Sequence, residues 1–115
     1  MKPLMILFIF CSLRVWATPN IVVIGKCHVK DEMQFFAEWA IRDSEWPANV
    51  YIIVEFTPKL PKPLAGYTLF EQNQIDGDTI RQFMIRLDAS QHINMIRRTL
   101  AHELIHVRQI IEGRL

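Results

Sequence analysis

The sequence predicts an α+β fold in which a mixed sheet of about four strands packs against two helices, the second of them at the C-terminus. The order of the segments carries this prediction: a buried strand and an amphipathic helix come first, three strand-like stretches follow, and a long amphipathic helix comes last. With 115 residues the chain is the size of one domain. Hydrophobic residues make up 50% of it and charged residues 22%, which excludes a disordered or low-complexity chain.

Residues 1–17 are typical of a secretory signal peptide. Lys2 provides a positive start, residues 4–13 form an apolar run, and the small residue Ala17 marks a cleavage site. The run is too short to cross a bilayer as a helix. Because Arg14 lies between the run and the cleavage site, an uncleaved anchor, a misassigned start codon and a buried strand stay open as alternatives.

The remainder, residues 18–115, is one predicted domain. If the leader is cleaved, the domain is expected to be secreted or periplasmic; if it is retained, the protein is expected to be membrane-anchored or cytoplasmic. A membrane is a partner only if the leader is an uncleaved anchor. The formal net charge is +1, or −1 once Lys2 and Arg14 are removed, since 11 basic residues then face 12 acidic ones. This balance argues against a nucleic-acid partner. Cys27 is the one cysteine left in the domain, so the sequence implies no disulfide framework.

The domain begins with a strand and a helix. Residues 20–29 contain a continuous apolar run, which indicates a strand covered on both faces. Asp31 then provides an N-cap for a helix over residues 32–46, whose apolar side chains recur at helical spacing. Pro47 ends that helix, because proline breaks the backbone hydrogen bonding of a helix interior.

Three further strands follow. Residues 50–56 are β-branched and aromatic, which favours a strand. The three prolines within residues 58–63 must lie outside the sheet, because proline cannot donate a backbone hydrogen bond. Residues 66–72 and 82–88 are predicted as two more strands, and the polar turn at residues 76–78 favours a hairpin between them.

The last helix is predicted over residues 90–112, with Gly113 as its C-terminal stop. At about 100° per residue, the apolar side chains form one stripe that faces the core. This stripe consists of Ile93, Ile96, Leu100, Leu104, Val107 and Ile111. His102 and His106 lie on the other side of the helix, with Glu103 between the two sides. The helix is therefore expected to pack on the sheet and to present the histidines to a cleft or to solvent.

The His-Glu-x-x-His spacing suits zinc chemistry. The imidazoles of His102 and His106 project from adjacent turns, and each can place a nitrogen about 2.0–2.1 Å from one ion. Glu103 then lies within reach of a metal-activated water, for which it is the predicted general base. The alternative is that both histidines are solvated surface residues and that Glu103 is an ordinary helix former.

The segment around these residues, Thr-Leu-Ala-His-Glu-Leu-Ile-His-Val-Arg-Gln at 99–109, resembles the small zincin-type metallopeptidases of phage and bacteria, in the style of SprT-like proteins. The resemblance implies a zinc-dependent endopeptidase that acts on a peptide or protein substrate. It also implies that His102 and His106 bind Zn²⁺ and that Glu103 is catalytic. In such zincins the motif helix packs under a twisted mixed sheet.

The same resemblance implies that an extended substrate pairs with an edge strand of the sheet. Either residues 66–72 or residues 82–88 are expected to supply that edge. The match upstream of the motif is limited to a similar order of strands and helices.

A catalytic zinc site needs a third protein ligand, which this sequence does not make evident. Glu112 lies about 15 Å along an unbroken helix from His102, too far to share an ion, and His28 and His92 are expected in solvated or local hydrogen-bonding roles. A truncated chain, a ligand from another subunit, and weak binding by two histidines and water stay open, and truncation is favoured. Truncation would expose the inner side of the last helix, which predicts poor solubility or a homo-oligomer. The competing function is a catalytically inactive zincin remnant or a protein-interaction module.

Overall fold

The structure, a computed structural model, describes residues 20–42, 46–47 and 49–113. The predicted signal peptide or anchor at residues 1–17 lies outside the described residues. Within them the elements are β1 (Asn20–Ile24), α1 (Lys30–Ile41), β2 (Val50–Thr57), β3 (Gly66–Ile75), β4 (Asp78–Asp88) and α2 (Ile93–Ile111). The predicted order and the α+β class are confirmed.

The four strands form one mixed sheet in the order β1-β2-β4-β3. Strand β2 pairs in parallel with both β1 and β4, whereas β3 pairs antiparallel with β4. The predicted hairpin between β3 and β4 is confirmed, and its turn places Asp76 at φ 52° and Gly77 at φ 84°. Of the two strands expected to form an edge, β3 does so, whereas β4 lies inside the sheet.

Both helices pack on the same face of the sheet. Their apolar side chains and those of alternate strand residues form one continuous core. The core contains Met33, Ala37 and Ile41 of α1, Ile96, Leu100, Leu104 and Val107 of α2, and the strand residues Ile21, Val23, Val50, Ile52, Val54, Phe56, Phe83, Ile85 and Leu87. On the core side of α2, the four buried residues Ile96, Leu100, Leu104 and Val107 are 0–7% exposed.

The opposite face of the sheet has a smaller apolar cluster and a polar network. Tyr51 and Ile53 of β2 are buried there among partly buried aliphatic side chains. Arg86 donates hydrogen bonds at 3.0 Å to both Glu55 and Tyr67, which links β2, β4 and β3 across this face. These two hydrogen bonds, the one to Tyr67 first, raise the pKa of Arg86. In the described part of the chain, neither helix is long and apolar enough to cross a membrane.

Helix α1 differs from its prediction at both ends. Val29, not Asp31, occupies the N-cap and makes no side-chain capping bond, while Asp31 and Glu32 lie in the first turn, where the helix dipole favours negative charge. The helix ends at Ile41 rather than at residue 46. Both the backbone N–H and the guanidinium of Arg42 donate to the Trp39 carbonyl oxygen, and this closes the last turn.

Helix α2 begins three residues later than predicted. His92 is its N-cap, and the ring nitrogen Nδ1 accepts from the backbone N–H of Asn94 at 3.2 Å. Before it, the buried Asp88 carboxylate accepts from the N–H of Leu60 and from both the N–H and the hydroxyl of Ser90. These bonds hold residues 88–90 in a turn, so that the helix cannot start at Ser90.

Candidate metal centre

A glycine lets α2 approach the edge strand. A Cβ atom at Gly66 would lie 2.8 Å from the Thr99 methyl carbon and 2.8 Å from the Arg86 carbonyl oxygen. Real Cβ atoms do not come this close to their neighbours, so only glycine permits the observed spacing between β3 and α2. This close approach brings the side of α2 that carries the motif against β3.

Three contacts show that α2 runs along β3 in the same direction. Thr99, two turns into α2, meets Gly66, the first residue of β3, and Glu103 bonds to Thr68 one turn later. Farther along, Arg81, which pairs with Gln72 of β3, donates to the Ile111 carbonyl at 3.5 Å. The motif turn of α2 therefore lies beside the first half of the edge strand, at Thr68.

The two motif histidines converge on each other at the surface of α2. His102 is exposed and His106 is half-buried. Their Nε2 atoms are 2.9 Å apart, and their rings are nearly perpendicular, at 87° with centroids 4.5 Å apart. This is the arrangement that the i, i+4 spacing predicted.

The donor pair fits a tetrahedral metal ion after a small change. Two nitrogens that each lie about 2.0–2.1 Å from one zinc ion at a tetrahedral angle are about 3.3 Å apart. The observed separation of 2.9 Å therefore needs to open by about 0.4 Å, which a small rotation of either ring achieves. Two neutral imidazoles are also ligands that zinc, copper and nickel all accept.

Glu103 lies on the β3 side of the histidines and is 8% exposed. Its Oε1 atom accepts a hydrogen bond of 2.6 Å from the hydroxyl of Thr68 on the edge strand. No described residue donates a hydrogen bond to its other oxygen, Oε2. The ligand atoms of His102, Glu103 and His106 all lie within 4.8 Å of one another, so the three residues form a group able to hold a metal ion.

Comparison with protein-family models, with curated proteins and with solved structures gives no match to this chain. The chemistry of the centre is therefore inferred from its own residues.

No third ligand from another element joins this group within the described residues. His92 caps α2, as its predicted local hydrogen-bonding role requires, and His28 is exposed in the loop that follows β1. Glu112 forms an ion pair of 2.9 Å with Arg108 on the same helix. None of these three residues belongs to the group formed by His102, Glu103 and His106 in the described chain.

Two residues of the site were missed at the sequence level. Thr68 contacts Glu103 from a different element, 35 residues away along the chain. Gln109 contacts His106, with 3.2 Å between the amide oxygen Oε1 and the ring nitrogen Nδ1. The i, i+3 spacing of His106 and Gln109 was a usable signal, because such residues are neighbours on a helix. Thr68 gave no comparable signal.

Proposed function

We propose that this protein is a zinc-dependent metallopeptidase with a zincin-like fold, in which His102 and His106 bind the ion and Glu103 is the general base. The observation that carries the proposal is the convergence of three side chains. Two imidazole nitrogens 2.9 Å apart lie beside a buried carboxylate whose ligand atom is within 4.8 Å of both.

Zinc held by the two histidines would supply a Lewis acid that polarises a peptide carbonyl and lowers the pKa of water. Glu103 accepts a proton as water adds to the carbonyl carbon, and it returns that proton to the amine as the C–N bond breaks. The hydrogen bond from Thr68 occupies Oε1 and leaves Oε2 for this proton transfer. The low exposure of Glu103 strengthens its electrostatic interaction with a nearby cation.

The edge strand provides a place for an extended peptide. On its outer side β3 has no partner strand among the described residues, so its backbone N–H and C=O groups can pair with a substrate. Thr68 and Phe70 point to the helix side of the sheet, because they pair with the core residues Ile85 and Phe83. A peptide added to β3 therefore passes close to the motif turn of α2.

A second function is favoured by one observation, the lack of a third ligand among the described residues. A site of two histidines and water binds zinc weakly, and such a chain is a catalytically inactive zincin remnant or a protein-interaction module. Zinc affinity distinguishes the two functions directly.

The test uses the full chain and three variants. We would measure zinc stoichiometry and affinity by competition with a chromophoric chelator, and hydrolysis with a mixture of fluorogenic peptides. The variants are His102→Ala, Glu103→Gln and the control His28→Ala, which removes an exposed histidine outside the site. The proposal requires one zinc ion per chain, lost in His102→Ala and kept in Glu103→Gln and His28→Ala, with hydrolysis lost in Glu103→Gln.

Two results would contradict the proposal. Loss of zinc in Glu103→Gln would make Glu103 a ligand rather than the base. Equal and weak zinc binding by wild type and His102→Ala would leave the remnant or interaction module as the function.

A further inference from the structure

The contact between Gln109 and His106 constrains the position of a proton. The Oε1 atom of Gln109 lies 3.2 Å from Nδ1 of His106. With the amide assigned so that its oxygen faces the ring, Gln109 can only accept, and Nδ1 of His106 carries the hydrogen of this contact. In a neutral imidazole the other nitrogen then has a free lone pair, and Nε2 of His106 becomes an acceptor.

The other imidazole is protonated at the opposite nitrogen. Nε2 of His102 lies 2.9 Å from Nε2 of His106, and one of the two atoms must donate. Because Nε2 of His106 is the acceptor, His102 donates from Nε2. No described residue forms a hydrogen bond with Nδ1 of His102. The two histidines of the motif are therefore not equivalent: Gln109 sets the tautomer of His106, and His106 in turn sets that of His102.

We propose that Gln109 is a positioning residue for the metal centre, which fixes His106 in the Nδ1–H tautomer and aims its Nε2 lone pair at the ion. Its effect on metal binding rests on the proposed function, whereas its effect on the tautomer does not. Outer hydrogen-bond partners of this kind orient metal-binding histidines and raise their basicity. In this tautomer the Nε2 lone pair of His106 is free to bind a metal. His102 must first lose the hydrogen on its own Nε2.

The charged side chains of the last turn, Arg108 and Glu112, pair with each other, whereas Gln109 contacts His106. Arg108 is paired with Glu112 at 2.9 Å, and its guanidinium lies over the Trp46 ring, 5.2 Å from the centroid. Arg108 is about 160° around the helix from His106, so its backbone position is on the opposite side of α2. The amide of Gln109 is thus the side chain of this turn that contacts Nδ1.

The test is nitrogen NMR of the full, metal-free chain with ¹⁵N-labelled histidine at mildly alkaline pH, which reports which ring nitrogen carries the hydrogen. Gln109→Met removes the acceptor at similar size, and Gln109→Glu restores an acceptor oxygen. All three residues are good helix formers, so α2 is kept. The control Ile105→Met changes an exposed residue one turn earlier. His106 is assigned with a His106→Gln variant.

We expect the Nδ1–H tautomer of His106 in wild type, Ile105→Met and Gln109→Glu, and the Nε2–H tautomer in Gln109→Met. Competition with a chelator should show that Gln109→Met weakens zinc binding by about 10–100-fold, with Gln109→Glu close to wild type. An Nε2–H tautomer in wild type, or an unchanged tautomer in Gln109→Met, would overturn the proposal whatever the zinc affinity. The expected tautomers without any zinc binding would instead refute the proposed function and the role of Gln109 toward a metal, and leave its effect on the tautomer intact.

Discussion

The two sides of α2 are held in place by different forces. On the core side, Ile96, Leu100 and Val107 are 0–1% exposed and pack against the sheet. On the motif side, His102 is exposed, and hydrogen bonds link the site residues to one another and to β3. Burial thus positions the helix, whereas hydrogen bonds position the side chains that carry the chemistry.

This difference separates stability from function. Removing a buried aliphatic group leaves a cavity in a close-packed interior, and the folded state loses free energy. When an exposed imidazole is removed, water fills the space it occupied, and the free energy of unfolding changes little. Substitutions on the two sides of one helix should therefore have effects of very different size.

The largest effect is expected for Leu100→Ala. Leu100 is 0% exposed at the centre of the core side of α2. Its truncation should lower the free energy of unfolding by about 2–5 kcal/mol, through lost transfer free energy and an unfilled cavity. Urea titration followed by circular dichroism measures this change. Leu100→Met is the matched control and should cost less than about 1.5 kcal/mol, and equal losses in both variants would mean that volume at this site is not what positions α2.

A smaller effect is expected at the turn that leads into α2. Burial raises the pKa of Asp88, but hydrogen bonds from Ser90 and Leu60 outweigh burial, and the pKa lies below its ordinary value of 3.8. Asp88→Asn should lower the free energy of unfolding near neutral pH by about 1.5–3 kcal/mol, because one of the two acceptor oxygens becomes an amide nitrogen, which cannot accept its hydrogen bond, and the other loses its charge.

The same carboxylate predicts a pH dependence. Because the folded state lowers the pKa of Asp88, its stabilisation is fully present above the unfolded value and is lost as the pH falls through the folded value. Urea titrations across the acid range should therefore show that wild type and Asp88→Asn differ above about pH 4 and converge below it. A constant difference across that range would exclude ionised Asp88 as the cause.

An intermediate case is Thr68→Val, which removes a polar contact of the motif side. The variant keeps the β-branched shape and leaves the buried Oε1 of Glu103 without its donor. The expected loss is about 1–2 kcal/mol, measured by thermal or urea unfolding. Thr68→Ser retains the hydroxyl and should recover most of the loss, whereas an equal loss in both variants would point to the methyl group instead.

The smallest effect is expected for His102→Ala in the metal-free protein. Because His102 is exposed, the free energy of unfolding should change by no more than about 0.5 kcal/mol. Differential scanning calorimetry in the presence of a chelator measures it. If His102→Ala lowered the free energy of unfolding as much as Leu100→Ala, the two sides of α2 would not differ in their contribution to stability.

Much of the fold was predictable from local patterns. The helical spacing of Ile96, Leu100, Leu104 and Val107 correctly predicted the buried side of α2, and the Asp76-Gly77 turn correctly predicted the hairpin. Helix ends were less predictable. The N-cap of α2 moved to His92 because Asp88 holds the preceding residues through bonds to Leu60 and Ser90, and the bond to Leu60 spans 28 positions of the chain.

The sequence by itself determined the order of the elements, the core side of α2 and the convergence of His102 with His106, because each of these follows from periodicity within one segment. Only the tertiary structure decided that β3 is the free edge, that Gly66 lets α2 lie against it, and that Thr68 meets Glu103. These features depend on which distant segments pair with one another. A single sequence shows the periodicity within each segment, but it does not show which segments pair. The side chains that surround the motif therefore became visible only in the folded chain.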